Sequence, residues 1–240
     1  DVKGIGWQGR VWTAAVSAGG ETGVTGTANK QVWILDRGGN LLGEHRAEAD
    51  VFTVGISADG QTITAGSGDQ QVYLLDRTGT LLWQERLEDK IWAVALSAEG
   101  QQMIVGAGEK ETHLRAFDRS GQPRWKRYIK GGVGGLALSD EPKRIIVGTR
   151  QGHIYIFDNE GEILHQAKAR KIIRDVGISG NGRVAAAASE DGNLYTFLLP
   201  EYSVKEKGKA PAPISYVSQI IQIIGDGNVV GDHSTSQVNK

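Results

Sequence analysis

Cysteine is absent from the 240 residues. That removes disulfides, thiolate metal sites, iron–sulfur clusters and cysteine nucleophiles together, and leaves the redox compartment open. Proline is scarce, with 5 residues against 34 glycines, so chain reversals must come from glycine-containing turns. No apolar run reaches the roughly 18 residues of a membrane helix, and no amphipathic helix of useful length precedes residue 213. No excess charge of either sign marks the chain as a whole, the net being −1. A uniformly basic nucleic-acid surface is therefore disfavoured. Asp1 stands where a start methionine would, and no leader-like segment follows. The chain reads as an excised or processed piece of a longer protein, with a cytoplasmic placement expected. Apolar residues at 39% and charged residues at 23% give a globular composition.

What is present is a repeat. Five apolar stretches end in serine, VWTAAVS, VFTVGIS, IWAVALS, VGGLALS and IRDVGIS, at Ser17, Ser57, Ser97, Ser139 and Ser179. A small residue follows nine positions later at Gly26, Gly66, Gly106, Gly148 and Ala188. Asp36, Asp76, Asp118 and Asp158 then close the runs VWILD, VYLLD, LRAFD and IYIFD, each with a glycine three residues on. Apolar runs of this length, bounded by turn residues, are strands. Asp or Ser at the first turn position and Gly where φ must be positive make hairpin loops. The first repeat thus holds strands at Val11–Val16, Thr22–Gly26, Val32–Leu35 and Leu41–Arg46. A four-stranded sheet of about 40 residues, repeated, is a propeller blade. The expected fold is all-β: a five-bladed β-propeller of four-stranded antiparallel blades over residues 1–200.

The fifth repeat has strands at Ile173–Ile178, Val184–Ala188 and Leu194–Leu199 but no fourth in place. Residues 2–7 (VKGIGW) are expected to supply it and close the ring, because an open edge invites aggregation; Tyr202–Lys207 is the other source. Residues 201–213 (EYSVKEKGKAPAP) have linker composition. The tail 214–240 is β-branched, which favours strands over a helix, with a turn signal at Gly225-Asp226-Gly227-Asn228. Ile214–Val230 is apolar enough to need a covering partner. Self-association through this segment is expected, the propeller's own side or a following domain being the other options.

The run VYLLDRTGTLLW (Val72–Trp83) is similar to the repeat of quinoprotein-type propellers, and Val51–Asp76 resembles the inner half of a WD-type repeat. Leu-Asp or Phe-Asp stands where WD repeats have Trp-Asp, the preceding Gly-His is missing, and the outer Trp of Trp83 and Trp125 is Gly43 and His165 elsewhere. The resemblance, to bacterial WD-like or PQQ-like repeat propellers, implies the fold over residues 1–200 and no particular activity. Pyrroloquinoline quinone with calcium is the quinoprotein cofactor. Nothing in this sequence matches its ligand residues, so no cofactor is expected.

No nucleophile elbow or P-loop is present, and the histidines lack metal-ligand spacing. The position five before each serine reads Trp12, Phe52, Trp92, Gly134 and Arg174. In a propeller this residue enters the channel mouth, so three neighbouring blades present an aromatic there. The rings either pack between blades or form a recognition site. Charge is uneven: residues 1–123 carry −5, residues 124–174 carry +6 and residues 175–240 carry −2. The basic block includes Arg124, Lys126, Arg127, Lys130, Lys168, Arg170, Lys171 and Arg174. It is either a soluble strand edge or a patch for an acidic partner.

The expected function is a non-enzymatic ligand- or protein-binding sensor propeller of a larger multidomain protein. Its binding set is Trp12, Phe52, Trp92, Arg174, Lys90, Lys130, Arg170 and Lys171, and its partner is a protein or peptide of acidic character, with no membrane. A small propeller hydrolase or lyase, with carboxylates converging at the channel mouth, is the alternative.

Overall fold

The serine ending each first strand builds the turn that follows it. The Oγ of Ser17, Ser57, Ser97, Ser139 and Ser179 accepts the backbone N–H five residues on, at Thr22, Thr62, Gln102, Arg144 and Val184, over 2.9–3.1 Å. The aspartates do the same for the outer hairpin. Asp76 Oδ1 accepts the N–H groups of Thr78 and Thr80 at 2.8 and 3.0 Å, and Asp118 and Asp158 repeat the pattern. Gly39, Gly79, Gly121 and Gly161 take φ of 76–83° there, the left-handed region that glycine reaches without a Cβ clash.

The computed structural model describes residues 9–109, 111–141, 143–200, 217–224 and 228–235, with no helix among them. Blade 1 is β1 (Val11–Val16), β2 (Thr22–Thr27), β3 (Gln31–Asp36) and β4 (Leu41–Arg46). Blade 2 is β5 (Val51–Ile56), β6 (Thr62–Ser67), β7 (Gln71–Asp76) and β8 (Leu81–Arg86). Blade 3 is β9 (Ile91–Leu96), β10 (Gln102–Ala107), β11 (Glu111–Asp118) and β12 (Pro123–Lys130). Blade 4 is β13 (Val133–Leu138), β14 (Ile145–Thr149), β15 (His153–Phe157) and β16 (Ile163–Lys168). Blade 5 opens with β17 (Ile173–Ile178), β18 (Val184–Ser189) and β19 (Asn193–Leu198). Blades 1 to 4 are antiparallel four-stranded meanders in sequence order.

Among the described residues, the strand beside β19 is β20 (Val217–Ile224), with β21 (Asn228–Thr235) beyond it; the expected closing segment, residues 2–7, and its alternative, Tyr202–Lys207, lie outside the described residues. β20 pairs antiparallel along β19 from Asn193↔Gln222 to Leu198↔Val217. VSQIIQII is eight residues rich in β-branched side chains, which suits a strand. The covering partner expected for the tail is thus, for β20, the chain's own fifth sheet. Residues 1–8 and the linker 201–213 lie outside the described residues.

The chain divides into two compact units, Asp1–Val133 and Gly134–Lys240. Within each, neighbouring blades meet through one recurring joint. The first residue of the inner strand, Val51, Ile91, Val133 or Ile173, is at most 2% exposed. It fills the space above the preceding blade's glycine. A Cβ on Gly26 would come within 2.7 Å of Val51, one on Gly106 within 2.8 Å of Val133, and Gly66 and Gly148 are closer still to Ile91 and Ile173. Around these knobs lie the apolar clusters of blades 1–2 (Val24, Ile34, Val54, Ile63), 2–3 (Leu74, Ile91, Met103, Val105) and 4–5 (Ile146, Ile156, Ile173, Ala187).

Candidate functional site

In the first unit, the loop between blades 1 and 2 is fixed by one carboxylate. Asp69 Oδ2 accepts the Glu48 N–H at 2.8 Å and the Tyr73 hydroxyl at 2.7 Å, while Oδ1 accepts the Gln71 N–H at 2.8 Å. Ser67 Oγ donates to the Ala49 carbonyl at 3.2 Å, and Gly68 N–H to that of Asp50 at 2.9 Å. The loop thus locked delivers Asp50, which accepts a hydrogen bond from Trp12 Nε1 at 3.2 Å.

Three rings follow. Trp12 meets Phe52 edge-on with centroids 6.2 Å apart, and Phe52 stacks on Trp92 at 4.6 Å and 6°. Phe52 also lies against Gly68, where a Cβ would approach its ring to 3.1 Å. The Arg10 guanidinium sits 4.0 Å from the Trp12 ring centroid. Ring pairs of this kind contribute about 0.5–1.5 kcal/mol beyond their buried area. The arrangement is part packed and part open: Phe52 and Trp92 are half-buried, and Trp12 is 41% exposed. Chemically it offers flat apolar area, one guanidinium and one carboxylate, the makings of a binding surface.

Of the residues expected at the site, Trp12, Phe52 and Trp92 come together. Lys90 belongs to the same unit, exposed, 3.8 Å from Glu109. Lys130 is exposed at the end of β12. Arg170, Lys171 and Arg174 are exposed in the second unit. There Arg174 is held by Glu190, its Nε 2.5 Å from Oε1. Gly134, the glycine at the aromatic position of blade 4, has the Ile173 carbonyl where a side chain would go.

The basic block is partly neutralised. Glu88 accepts Lys126 Nζ at 3.0 Å and also pairs with Arg115. Burial pushes the Glu88 carboxyl up, but the Lys126 hydrogen bond and the Arg115 and Lys126 charges outweigh it, taking the carboxyl down to about 2. A depressed carboxylate adds stability above its ordinary value of 4.5 and loses it as pH falls toward 2. Glu88→Gln is therefore expected to lower the urea midpoint at pH 6 and to flatten its fall between pH 5 and 2. An unchanged acid profile would mean that these pairs hold nothing.

Sequence reasoning missed the Asp69–Tyr73 pair and its counterpart in blade 5. Asp191 accepts the Tyr195 hydroxyl at 2.9 Å and the N–H groups of Arg170 and Asn193 at 3.0 and 3.1 Å. The available signal was the shared Asp-x-x-x-Tyr spacing at the start of a third strand.

Residues 9–195 match the family model of the outer membrane protein assembly factor BamB. Among solved structures, the β-propeller domain of Cps50 (Swd1) from Myceliophteria thermophila is similar, with a TM-score of 0.69 at 15% identity over 93% of this chain and 86% of that one. At that identity the likeness establishes the fold alone, a β-propeller. No curated protein matches the chain.

Proposed function

The chain belongs to the family of the outer membrane protein assembly factor BamB, and we propose that it is a non-enzymatic propeller of a larger multidomain protein that binds a protein or peptide over the Trp12–Phe52–Trp92 stack. The observation that carries this reading is the stack itself. Its rings are positioned by a hydrogen-bonded loop yet leave Trp12 exposed, and large rigid rings give contact area at low entropic cost. The hydrolase alternative needs two carboxylates converging beside the rings; the carboxylate hydrogen-bonded to them, Asp50, is engaged by Trp12 Nε1. An acidic character for the partner is the finer reading. It rests on Arg124 and Lys130, exposed along the outer strand β12.

The test is to pan a displayed random-peptide library on the full chain and compare the selected peptides on Trp12→Ala. The exposed Trp12 is expected to cost at least about 2 kcal/mol of affinity, roughly 30-fold, with the denaturation midpoint unmoved. Peptides that bind the variant as tightly as the parent would place the site elsewhere.

A further inference from the structure

The connectors that lead out of blades 1, 2 and 4 share one backbone frame. The buried residue after each outer strand, Ala47, Leu87 or Ala169, donates its N–H to a hairpin carbonyl of its own blade, Lys30, Gln70 or Gly152, over 2.8–2.9 Å. In the first and last of these connectors the next N–H, of Glu48 or Arg170, goes to a carboxylate of the following blade, Asp69 or Asp191. The frame is the same and the charge is not. Residues 48–50 and 88–90 carry −2 and −1, whereas residues 170–172 carry +2. These bonds use only the backbone of the connector, so the frame does not require the reversal.

The basic connector lies wholly within the second unit and is pinned on both sides. A Cβ on Gly152 would lie 2.6 Å from the Lys171 carbonyl and 2.7 Å from that of Ala169. On the other side, Glu190 N–H donates to the Ile172 carbonyl at 2.9 Å. Lys168, Arg170 and Lys171 are exposed on this frame. Lys168 Nζ donates to the Gln151 carbonyl at 2.7 Å and lies 3.0 Å from His153 Nε2, which engages two of the three N–H donors of an ammonium. The side chains of Arg170 and Lys171 have no ion-pair partner among the described residues. Of the acids beside them, Glu190 pairs with Arg174, and Asp191 accepts three hydrogen bonds from blade 5 and its connector.

From this pinned and charge-reversed connector we propose that Lys168, Arg170 and Lys171 form a docking ridge for an acidic, carboxylate-bearing segment of a protein partner. Opposite charge supplies the attraction and the orientation, and a backbone already fixed loses little entropy on binding. The cations are strung along the connector, which suits an extended segment better than a single ion. Residues 168–174 hold no aromatic, and Tyr155 and Tyr195 of blades 4 and 5 are buried, so the ridge offers no ring for a base to stack on. Ala169 and Ile173 are buried as well, which leaves no apolar side chain of the kind that inserts into a bilayer surface. The ridge is separate from the Trp12–Phe52–Trp92 stack. The two readings fail separately, one through Trp12→Ala and the other through Arg170 and Lys171.

The test uses the full chain and a fluorescent peptide of about ten glutamates, followed by anisotropy at low salt, where exposed charges are least screened. Arg170→Glu/Lys171→Glu is expected to weaken binding about tenfold or more. Arg37→Glu/Arg119→Glu, a matched reversal on exposed turns of blades 1 and 3, is expected to leave it within about twofold. Far-UV circular dichroism checks that each variant is folded. Should the reversal unfold the chain, Arg170→Gln/Lys171→Gln is expected to weaken binding at least about threefold. A parent chain that does not bind the peptide at about 1 mM, or a folded double variant that binds it like the parent, overturns the proposal. So does an equal loss in Arg124→Glu/Lys130→Glu, which would place the acid-binding surface on β12. Tighter binding to oligothymidylate of equal charge, or to phosphatidylcholine vesicles containing about 30% phosphatidylserine, overturns the assignment to a carboxylate segment.

Discussion

Ile91→Ala is expected to lower the stability of the first unit by about 3 kcal/mol, while Val11→Ala costs less than about 0.5 kcal/mol. The two residues hold the same position in the first and third repeats. Ile91 is fully buried above Gly66, and removing its branches leaves a void that the glycine cannot fill. Val11 gives up side-chain atoms already half in water. All six tryptophans, Trp7, Trp12, Trp33, Trp83, Trp92 and Trp125, lie in the first unit, so tryptophan emission during urea unfolding reports on that unit. The Ile91→Ala midpoint should fall with little change in slope, the mark of lost stability rather than altered compactness. Equal midpoints for the two variants would mean that the joints are not what holds blades 1 to 3 together.

The features legible in the sequence are those whose physics is local. A serine accepting the N–H five residues on, or an aspartate accepting two N–H groups of its own hairpin, needs only neighbours in the chain, so its spacing survives as a readable period of about 40. The apolar runs before Ser57, Ser97 and Ser139 likewise announce β5, β9 and β13. What stayed hidden depends on distant partners. β20 pairs with β19 from beyond residues 199–216, outside the period of about 40 that places the other outer strands. Gly134, at the aromatic position of blade 4, is a close backbone approach, with the Ile173 carbonyl where a side chain would go. The aromatic position was visible as Trp12, Phe52 and Trp92. The carboxylate that fixes the loop between them was not, because Asp69 acts on Glu48, 21 residues away. Arg174, visible at the same position of the repeat, ends in an ion pair with Glu190 because blade 5 has no ring there to meet.

Asp69→Ala and Asp191→Ala are expected to cost about the same stability, each roughly 2–4 kcal/mol, and to differ in binding. Each carboxylate holds one tyrosine hydroxyl and two backbone N–H groups, and its removal strands donors that charge-assisted bonds had satisfied. The two sit in different units. Only Asp69 fixes the loop that carries Asp50 to Trp12 and leads into Phe52. For peptides selected on the parent chain, Asp69→Ala should therefore weaken affinity about tenfold or more. Asp191→Ala, which frees the segment of Arg170 and Lys171, should leave it within about twofold. The reverse order would move the site to the basic residues of blade 5. The tyrosines supply a second reading of the same bonds. Burial, then the hydrogen bond to Asp69 and its charge, raises the Tyr73 hydroxyl above its ordinary value of 10. The stability this gives is complete below pH 10 and declines as pH rises beyond it. Tyr73→Phe, which cannot ionise, should lower the neutral-pH stability by about 1 kcal/mol and flatten the alkaline decline of tryptophan-detected stability. A Tyr73→Phe protein that declines as steeply as its parent above pH 10 would show that the Asp69–Tyr73 bond is not formed in solution.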